Sequence, residues 1–244
     1  MFKDKVVVIT GAGSGLGREL AKAFCREGAT VVGLGRSADS LAKTKAAMDN
    51  GLFHSYSVDI TQDEELNDAV AKIISDHGRI DVLFNNAAVY PKINFLDESA
   101  SQFASALASN LNSVAFCCKA ILPHMLKQNF GRIYNVGSWA DIAPIVNSAV
   151  YSCTKGGLHA LTKAMAKDIA QQDKNVEVHE WIPGHMNTQM SEYTGMDPRV
   201  PAAWAVAMVS RTNTSKNHIF DGDSIWLPPR SLKQKLKAKL LFWK

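Results

Sequence analysis

Cysteine is scarce in this chain and poorly placed for cross-linking. Cys25, Cys117, Cys118 and Cys153 show neither C-x-x-C spacing nor the density of a disulfide-stapled secreted domain. Adjacent residues on a helix point in different directions, so Cys117 and Cys118 make a poor metal pair, and core packing is the expected role of the thiols. His54, His77, His124 and His159 lack ligand spacing, and no metal is expected. No secretory leader is expected either, because Met1 to Lys5 runs directly into β-branched residues and a glycine turn. Apolar runs are broken by Lys, Arg, Asp or Glu before the roughly 18 residues a membrane span needs. The expectation is a reduced, cytoplasmic, soluble protein. An excess of one charge is also lacking from the body. The formal net charge is +4, but Arg230, Lys233, Lys235, Lys237, Lys239 and Lys244 lie within the final stretch, and +4 less these six leaves −2. Such a body offers no nucleic-acid surface.

The chain does have the size and patterning of one α/β unit. With 244 residues, 46% of them hydrophobic, it can bury a full core. No repeat, linker or composition break occurs before residue 230, so the domain is expected over 1–229 with a basic tail over 230–244. Apolar runs at Val6 to Ile9, Thr30 to Leu34, Phe53 to Val58, Val82 to Phe84, Ile133 to Val136 and Val176 to Ile182 read as strands covered on both faces. Longer helical patterns separate them. Leu16, Leu20, Ala23 and Phe24 form one stripe that Gly28 ends, and Leu66, Val70, Ile73 and Ile74 form another, with Thr61 as its cap and Gly78 as its stop. This alternation predicts a doubly wound, mostly parallel sheet of the Rossmann type with helices on both faces.

The turn after the first strand carries the first chemistry. Thr10-Gly11-Ala12-Gly13-Ser14-Gly15-Leu16-Gly17 passes straight into the first helix. Glycines there let the backbone take positive φ and approach a pyrophosphate, while free amides at the helix start face an anion. At the end of the second strand Gly35 stands where a carboxylate would meet the adenosine ribose 2′-hydroxyl, and Arg36 follows. A guanidinium without a repelling carboxylate favours NADP(H) over NAD(H), unless Asp39 is the acid of that strand end. Farther on, Tyr151 and Lys155 stand at i and i+4, on one face of a helix, where a nearby ammonium would lower a phenol toward neutrality.

These motifs resemble, in order and spacing, those of the short-chain dehydrogenase/reductase family, over residues 5 to about 190. The glycine turn is similar to the family's T-G-x-x-x-G-x-G. Asn85-Asn86-Ala87-Ala88 is similar to its N-N-A-G, with Ala88 in place of the final glycine. The resemblance implies that Asp59 and Ile60 border the adenine and that Asn86, Ala87 and Ala88 line the cofactor. It implies a catalytic set of Ser138, Tyr151, Lys155 and Asn110, with Asn112 the competing choice. Tyr151 would exchange the proton, Ser138 would hold the substrate oxygen, and Lys155 would bind the nicotinamide ribose, linked to solvent by water on Asn110. Pro183, Gly184, Met186 and Thr188 would contact the nicotinamide, and the cofactor list extends over Thr10, Gly11, Gly13, Ser14, Gly15, Leu16, Gly17 and Arg36. His185, Trp139, Tyr90, Pro144 and Asn147 would border the substrate.

The implied activity is hydride transfer between NADP(H) and a carbonyl or alcohol, and the rival reading is a silent cofactor-binding scaffold of the same fold. Only 32 residues separate Thr188 from Asp221, which predicts a small lid and an open site suited to a bulky or carrier-borne substrate. A sugar or other polar substrate and a ketoacyl or steroid-like ketone both stay open. The family implies a homodimer or homotetramer. In the tail, Leu232, Leu236, Leu240 and Trp243 share a helix side, so residues 231–244 would pack on the body or a partner subunit, lie at the inner membrane face, or remain disordered.

Overall fold

The apolar runs become strands because both of their faces are covered, except at the edge strand Phe53–Ser57, where His54 and Ser57 are exposed. In the computed structural model, which describes residues 2–48, 51–211 and 218–226, β1 is Val6–Thr10, β2 Thr30–Gly35, β3 Phe53–Ser57 and β4 Val82–Asn85. They are followed by β5 Gly131–Val136, β6 Val176–Ile182, β7 Ile219–Asp221 and β8 Ser224–Ile225. The sheet order is β3-β2-β1-β4-β5-β6-β7-β8, parallel throughout except for the closing antiparallel β8. Every residue of β1 is buried. Val7 and Ile9 enter one apolar cluster while Val6 and Val8 enter the other, as the two-residue period of a strand dictates.

Seven α-helices are described: α1 Gly15–Arg26, α2 Ala38–Ala46, α3 Asp63–His77, α4 Ala100–Leu107, α5 Ser113–Lys127, α6 Ala149–Ala170 and α7 Arg199–Ser210. Leu16, Leu20 and Phe24 bury the expected stripe of α1 on the β1 side, with Ala23 only partly buried, and Gly28 leaves the helix at φ +87°. Gly78 ends α3 in the left-handed region, but the cap of that helix is Gln62 rather than Thr61. The Thr61 hydroxyl is drawn away to the Asp59 carboxylate at 2.8 Å.

Helices α4 and α5 are joined by a π-helical turn, Ala108–Asn112, into a stretch over 100–127 that is long and apolar enough to cross a bilayer by composition alone. Its Val114, Cys117, Cys118, Ile121 and Met125 lie instead in the core against the sheet. Pro123 sits inside α5 rather than ending it. Cys25, Cys117 and Cys118 are buried as expected, whereas Cys153 is exposed.

Asp81, fully buried just before β4, fixes the start of β1. It accepts the Val6 amide at 3.0 Å, Lys5 at 3.1 Å and the Arg79 guanidinium at 2.7 and 2.5 Å. The strand order reverses between β1 and β4, the crevice in which open α/β sheets place their ligands. The tail over 230–244, and with it each expected role for that segment, lies outside the described residues.

Candidate active site

The crevice at the carboxyl ends of the strands is an open cleft of about 1200 Å³. One wall is the glycine turn. Gly11 and Gly15 have φ of +69° and +49°, backbone that side chains rarely adopt. Ser14 opens α1 without a side-chain cap bond, so its hydroxyl does not occupy the amides of the first turn. Gly11, Gly13, Ser14, Gly15 and Leu16 all line the cleft. An exposed backbone bend at a helix start, emptied of side chains and facing an open crevice, fits a dinucleotide pyrophosphate.

Two residues expected to touch the cofactor stand behind this wall instead. Gly17 is glycine because a Cβ there would lie 2.2 Å from the Gly11 carbonyl oxygen, so its role is close packing. Thr10 is buried, and its hydroxyl accepts the amides of Asn86 and Ala87, each at 3.0 Å. The Asn86 side chain donates back to the Thr10 carbonyl at 2.9 Å. Thr10 thus ties the end of β1 to the segment after β4, and that clamp holds Asn86, Ala87 and Ala88 on the cleft.

At the adenosine end, Gly35, Arg36, Asp59 and Ile60 line the cleft. Arg36 is exposed, and among the described residues its guanidinium has no salt bridge. Asp39 lies in the first turn of α2 and does not border the cleft. Of the two, Arg36 borders the cleft and Asp39 does not. The Asp59 carboxylate is engaged by the amide and hydroxyl of Thr61 at 3.0 and 2.8 Å, which shapes the entry to α3.

Ser138, Tyr151 and Lys155 converge on the cleft floor. Ser138 follows β5 and starts a 3-10 turn, Trp139–Asp141, by accepting the Ala140 amide. Tyr151 and Lys155 come from successive turns of α6. The ammonium lies 5.6 Å from the centre of the Tyr151 ring and donates to the Val136 carbonyl at 2.7 Å. Burial holds Lys155 down at about 8, with the Glu180 carboxylate pulling it upward. Burial also pushes the Tyr151 phenol above its ordinary range, against the stabilising Ser138 hydroxyl and with the nearby Tyr90 adding to the rise.

This corrects the simple expectation from i, i+4 spacing. Here the ammonium donates to the Val136 carbonyl, and burial is the larger influence on the phenol. Tyr90 stacks on Tyr151 with ring centres 4.5 Å apart.

Asn110 sits on the π-helical turn and is buried, whereas the competing Asn112 is exposed. Its oxygen accepts the Val89 amide at 2.7 Å. Its nitrogen donates to the Val89 carbonyl at 2.8 Å and to the Thr154 hydroxyl at 3.2 Å. Asn110 does not line the cleft. It joins the Val89 segment to α6, with the wider π turn presenting the carboxamide across the gap.

Pro183, Gly184, Met186 and Thr188 border the cleft after β6, as does His185, whose Nε2 pairs with the Thr194 hydroxyl at 2.9 Å. Trp139, Tyr90 and Asn147 line it as well, while Pro144 does not. Trp139 is held by Asp221, which accepts its indole N–H at 3.1 Å. Sequence reasoning missed the Lys92 to Glu192 ion pair, 2.6 Å long, whose two residues both line the cleft and tie the segments after β4 and β6 together. Nothing in the spacing of two residues a hundred positions apart signals it. Also missed were Ile145, Val146 and Met190, exposed apolar side chains on the rim.

Comparison with known proteins agrees with this arrangement. The family model for short chain dehydrogenase matches residues 5–198. An uncharacterized oxidoreductase of Staphylococcus epidermidis is 32% identical over 197 residues, covering 81% of this chain and 84% of that protein. Among solved structures, the 3-ketoacyl-(acyl-carrier-protein) reductase from Brucella melitensis, complexed with NADH, superposes with a TM-score of 0.82. It is 25% identical and the match covers 90% of this chain and 98% of that one. A metagenomic short-chain oxidoreductase in complex with NADP gives 0.75 at 26% identity, covering 90% and 96%. A parallel sheet with its glycine turn at the switch point, and a match over most of the length, lead to one conclusion: the chain belongs to the short-chain dehydrogenase family and is an NAD(P)-dependent oxidoreductase.

Proposed function

We propose that this enzyme reduces a ketone with an apolar body, with Tyr151 as proton donor and NADP(H) as the preferred cofactor. The observation that carries the reading is a partly buried phenol lining an open cleft with Ser138 and Lys155 beside it. A phenol kept protonated at neutral pH is in the form an acid needs. The cofactor supplies the hydride at the carbonyl carbon. Ser138 and Tyr151 hydrogen-bond the carbonyl oxygen and fix the face presented. Tyr151 then gives its proton to that oxygen, and the Lys155 ammonium, one helical turn away, stabilises the phenolate left behind.

Preference for NADP(H) is supported by Arg36, an exposed guanidinium on the adenosine end of the cleft, with Asp39 turned out of it. The substrate class follows from the rim. Ile145, Val146 and Met190 are 68%, 81% and 38% exposed there, which suits an acyl chain or fused ring better than a sugar. A carrier-borne acyl group fits the open mouth, and the similarity to a 3-ketoacyl-(acyl-carrier-protein) reductase is in keeping with that.

The test is a panel of ketones, from short sugars to ketoacyl thioesters, followed by nicotinamide absorbance with NADPH and with NADH. Tyr151→Phe is expected to lower turnover about a thousandfold while leaving coenzyme affinity unchanged. Activity retained in Tyr151→Phe would remove the residue from its assigned role. A parent protein that binds coenzyme but turns over nothing would favour the scaffold reading.

A further inference from the structure

Beneath the cleft floor lies a carboxylate that proton transfer from Tyr151 does not use. Glu180, on β6, is 2% exposed. Its Oε1 sits where a Cβ on Gly137 would come within 2.3 Å of it, so the missing side chain at 137 is what admits the carboxylate. Gly137 stands between Val136, whose carbonyl receives the Lys155 ammonium, and Ser138. The other oxygen, Oε2, is 2.6 Å from Nδ1 of His159. Tyr151, Lys155 and His159 follow one another at i, i+4 and i+8 along the same face of α6. The His159 side chain is 28% exposed, so the far end of the pair reaches solvent.

We infer that Glu180, anchored by His159, is a positioning residue whose negative charge keeps the Lys155 ammonium protonated beneath the cleft floor. The inference rests on the roles proposed above for Tyr151 and Lys155. A lysine enclosed by protein, with the Val136 carbonyl as its acceptor among the described residues, loses most of its hydration, and a carboxylate beside the same strand end offsets part of the loss.

Among the described residues, the charges facing these groups are few. Lys155 meets Tyr151 from its own helix and Glu180 from β6. Glu180 meets His159 and Lys155 from α6 and Asp141 from the 3-10 turn. Its partner in register on β5 is the uncharged Asn135. From the β7 side the His218 carbonyl accepts the Glu180 amide, while the His218 ring stacks on His179. Burial raises Glu180, and the His159 hydrogen bond offsets part of that rise, which is the service His159 performs.

Glu180→Gln keeps the shape and removes the charge. Without the carboxylate Lys155 loses its proton more easily, which moves the alkaline limb of ketone reduction toward acid. In the full chain, the limb of kcat/KM with NADPH is expected to move about one pH unit toward acid. The pH at which NADPH affinity falls, read by nicotinamide fluorescence, should move with it. Glu180→Ala, which discards charge and bulk together, should give the same displacement, and His159→Gln, which retains the carboxylate and a donor to it, should stay with the parent.

A limb and a binding transition unmoved in Glu180→Gln and Glu180→Ala, whatever the change in kcat, would assign Glu180 to packing and overturn the inference. If the parent reduced no ketone at all, the reductase reading would fall, and the binding titration would still decide the role of Glu180.

Discussion

Lys155 should make the folded protein less stable than it would be without it, and replacing it should strengthen the fold while ending turnover. The residue is 4% exposed, and its ammonium is held at about 8 against an ordinary 10.5, chiefly by burial. Depressing a base by that interval disfavours its charged form by about 3 kcal/mol. Between pH 8 and 10.5 the unfolded chain binds more protons at this site than the folded chain. Stability from this group therefore rises with pH through that window, and the full cost is present below it. Lys155→Met keeps the length and the apolar stem but gives up the bond to the Val136 carbonyl, a loss of about 1 kcal/mol. The variant should be about 2 kcal/mol more stable than the parent at pH 7, which is about 5 °C in Tm for a chain of this length. That advantage should vanish by about pH 10.

Urea unfolding of both proteins at pH 7 and near pH 9.5 measures the effect. The buried thiols act in the opposite sense. Cys25 and Cys118 are pushed up to about 12 from an ordinary 9.0, and Cys117 upward as well, so their contribution is lost as the unfolded chain ionises above pH 9. Parent and variant share those thiols, so the difference between them isolates Lys155. A variant less stable than the parent at pH 7, or a difference that does not change with pH, would refute the reasoning.

Two further outcomes are expected. Arg36→Ala should weaken NADPH binding by about ten- to a hundredfold while leaving NADH within about threefold, because only the former loses a charge-assisted contact to the 2′-phosphate; equal losses in a fluorescence titration would move specificity elsewhere. Asp81→Asn removes the carboxylate that accepts the Val6 amide and two partly exposed cations at the start of β1 and should cost about 1 to 2 kcal/mol in urea unfolding; a change under about 0.5 kcal/mol would show that the site is no anchor.

The sheet was legible because its signal is local. A run such as Val6-Val7-Val8-Ile9 states that both faces of a strand are covered, and the helices between such runs leave a parallel order as the natural solution. The glycine turn was legible for the same reason, since a single short segment carries both the bend and the helix start. Residues expected to share one role nonetheless divide. Gly15 faces the cleft, whereas Gly17 packs against the Gly11 carbonyl, and Thr10 clamps the segment after β4 rather than touching a ligand. Spacing reports that the turn is tight and does not report which atom of it faces out. Thr61 failed as a cap because its hydroxyl had a better acceptor in Asp59, two residues back.

Charge at the site was the least legible part, because it depends on enclosure rather than order. Tyr151 and Lys155 are one turn apart in any helix, and from that alone the ammonium should pull the phenol down. What decides the matter is how much water each has lost and where the ammonium's donors go. Both are set by Val136 at the end of β5, by Tyr90 stacked above the ring and by Glu180 on β6, which come from three distant parts of the chain. A glycine at 137 admits the carboxylate, and a histidine at 159 holds it there. None of these residues carries its meaning in its immediate neighbours. Burial raises the phenol, which leaves it protonated but a weaker acid, so proton donation in the proposed reaction leans on the Ser138 hydroxyl and the Lys155 ammonium beside it.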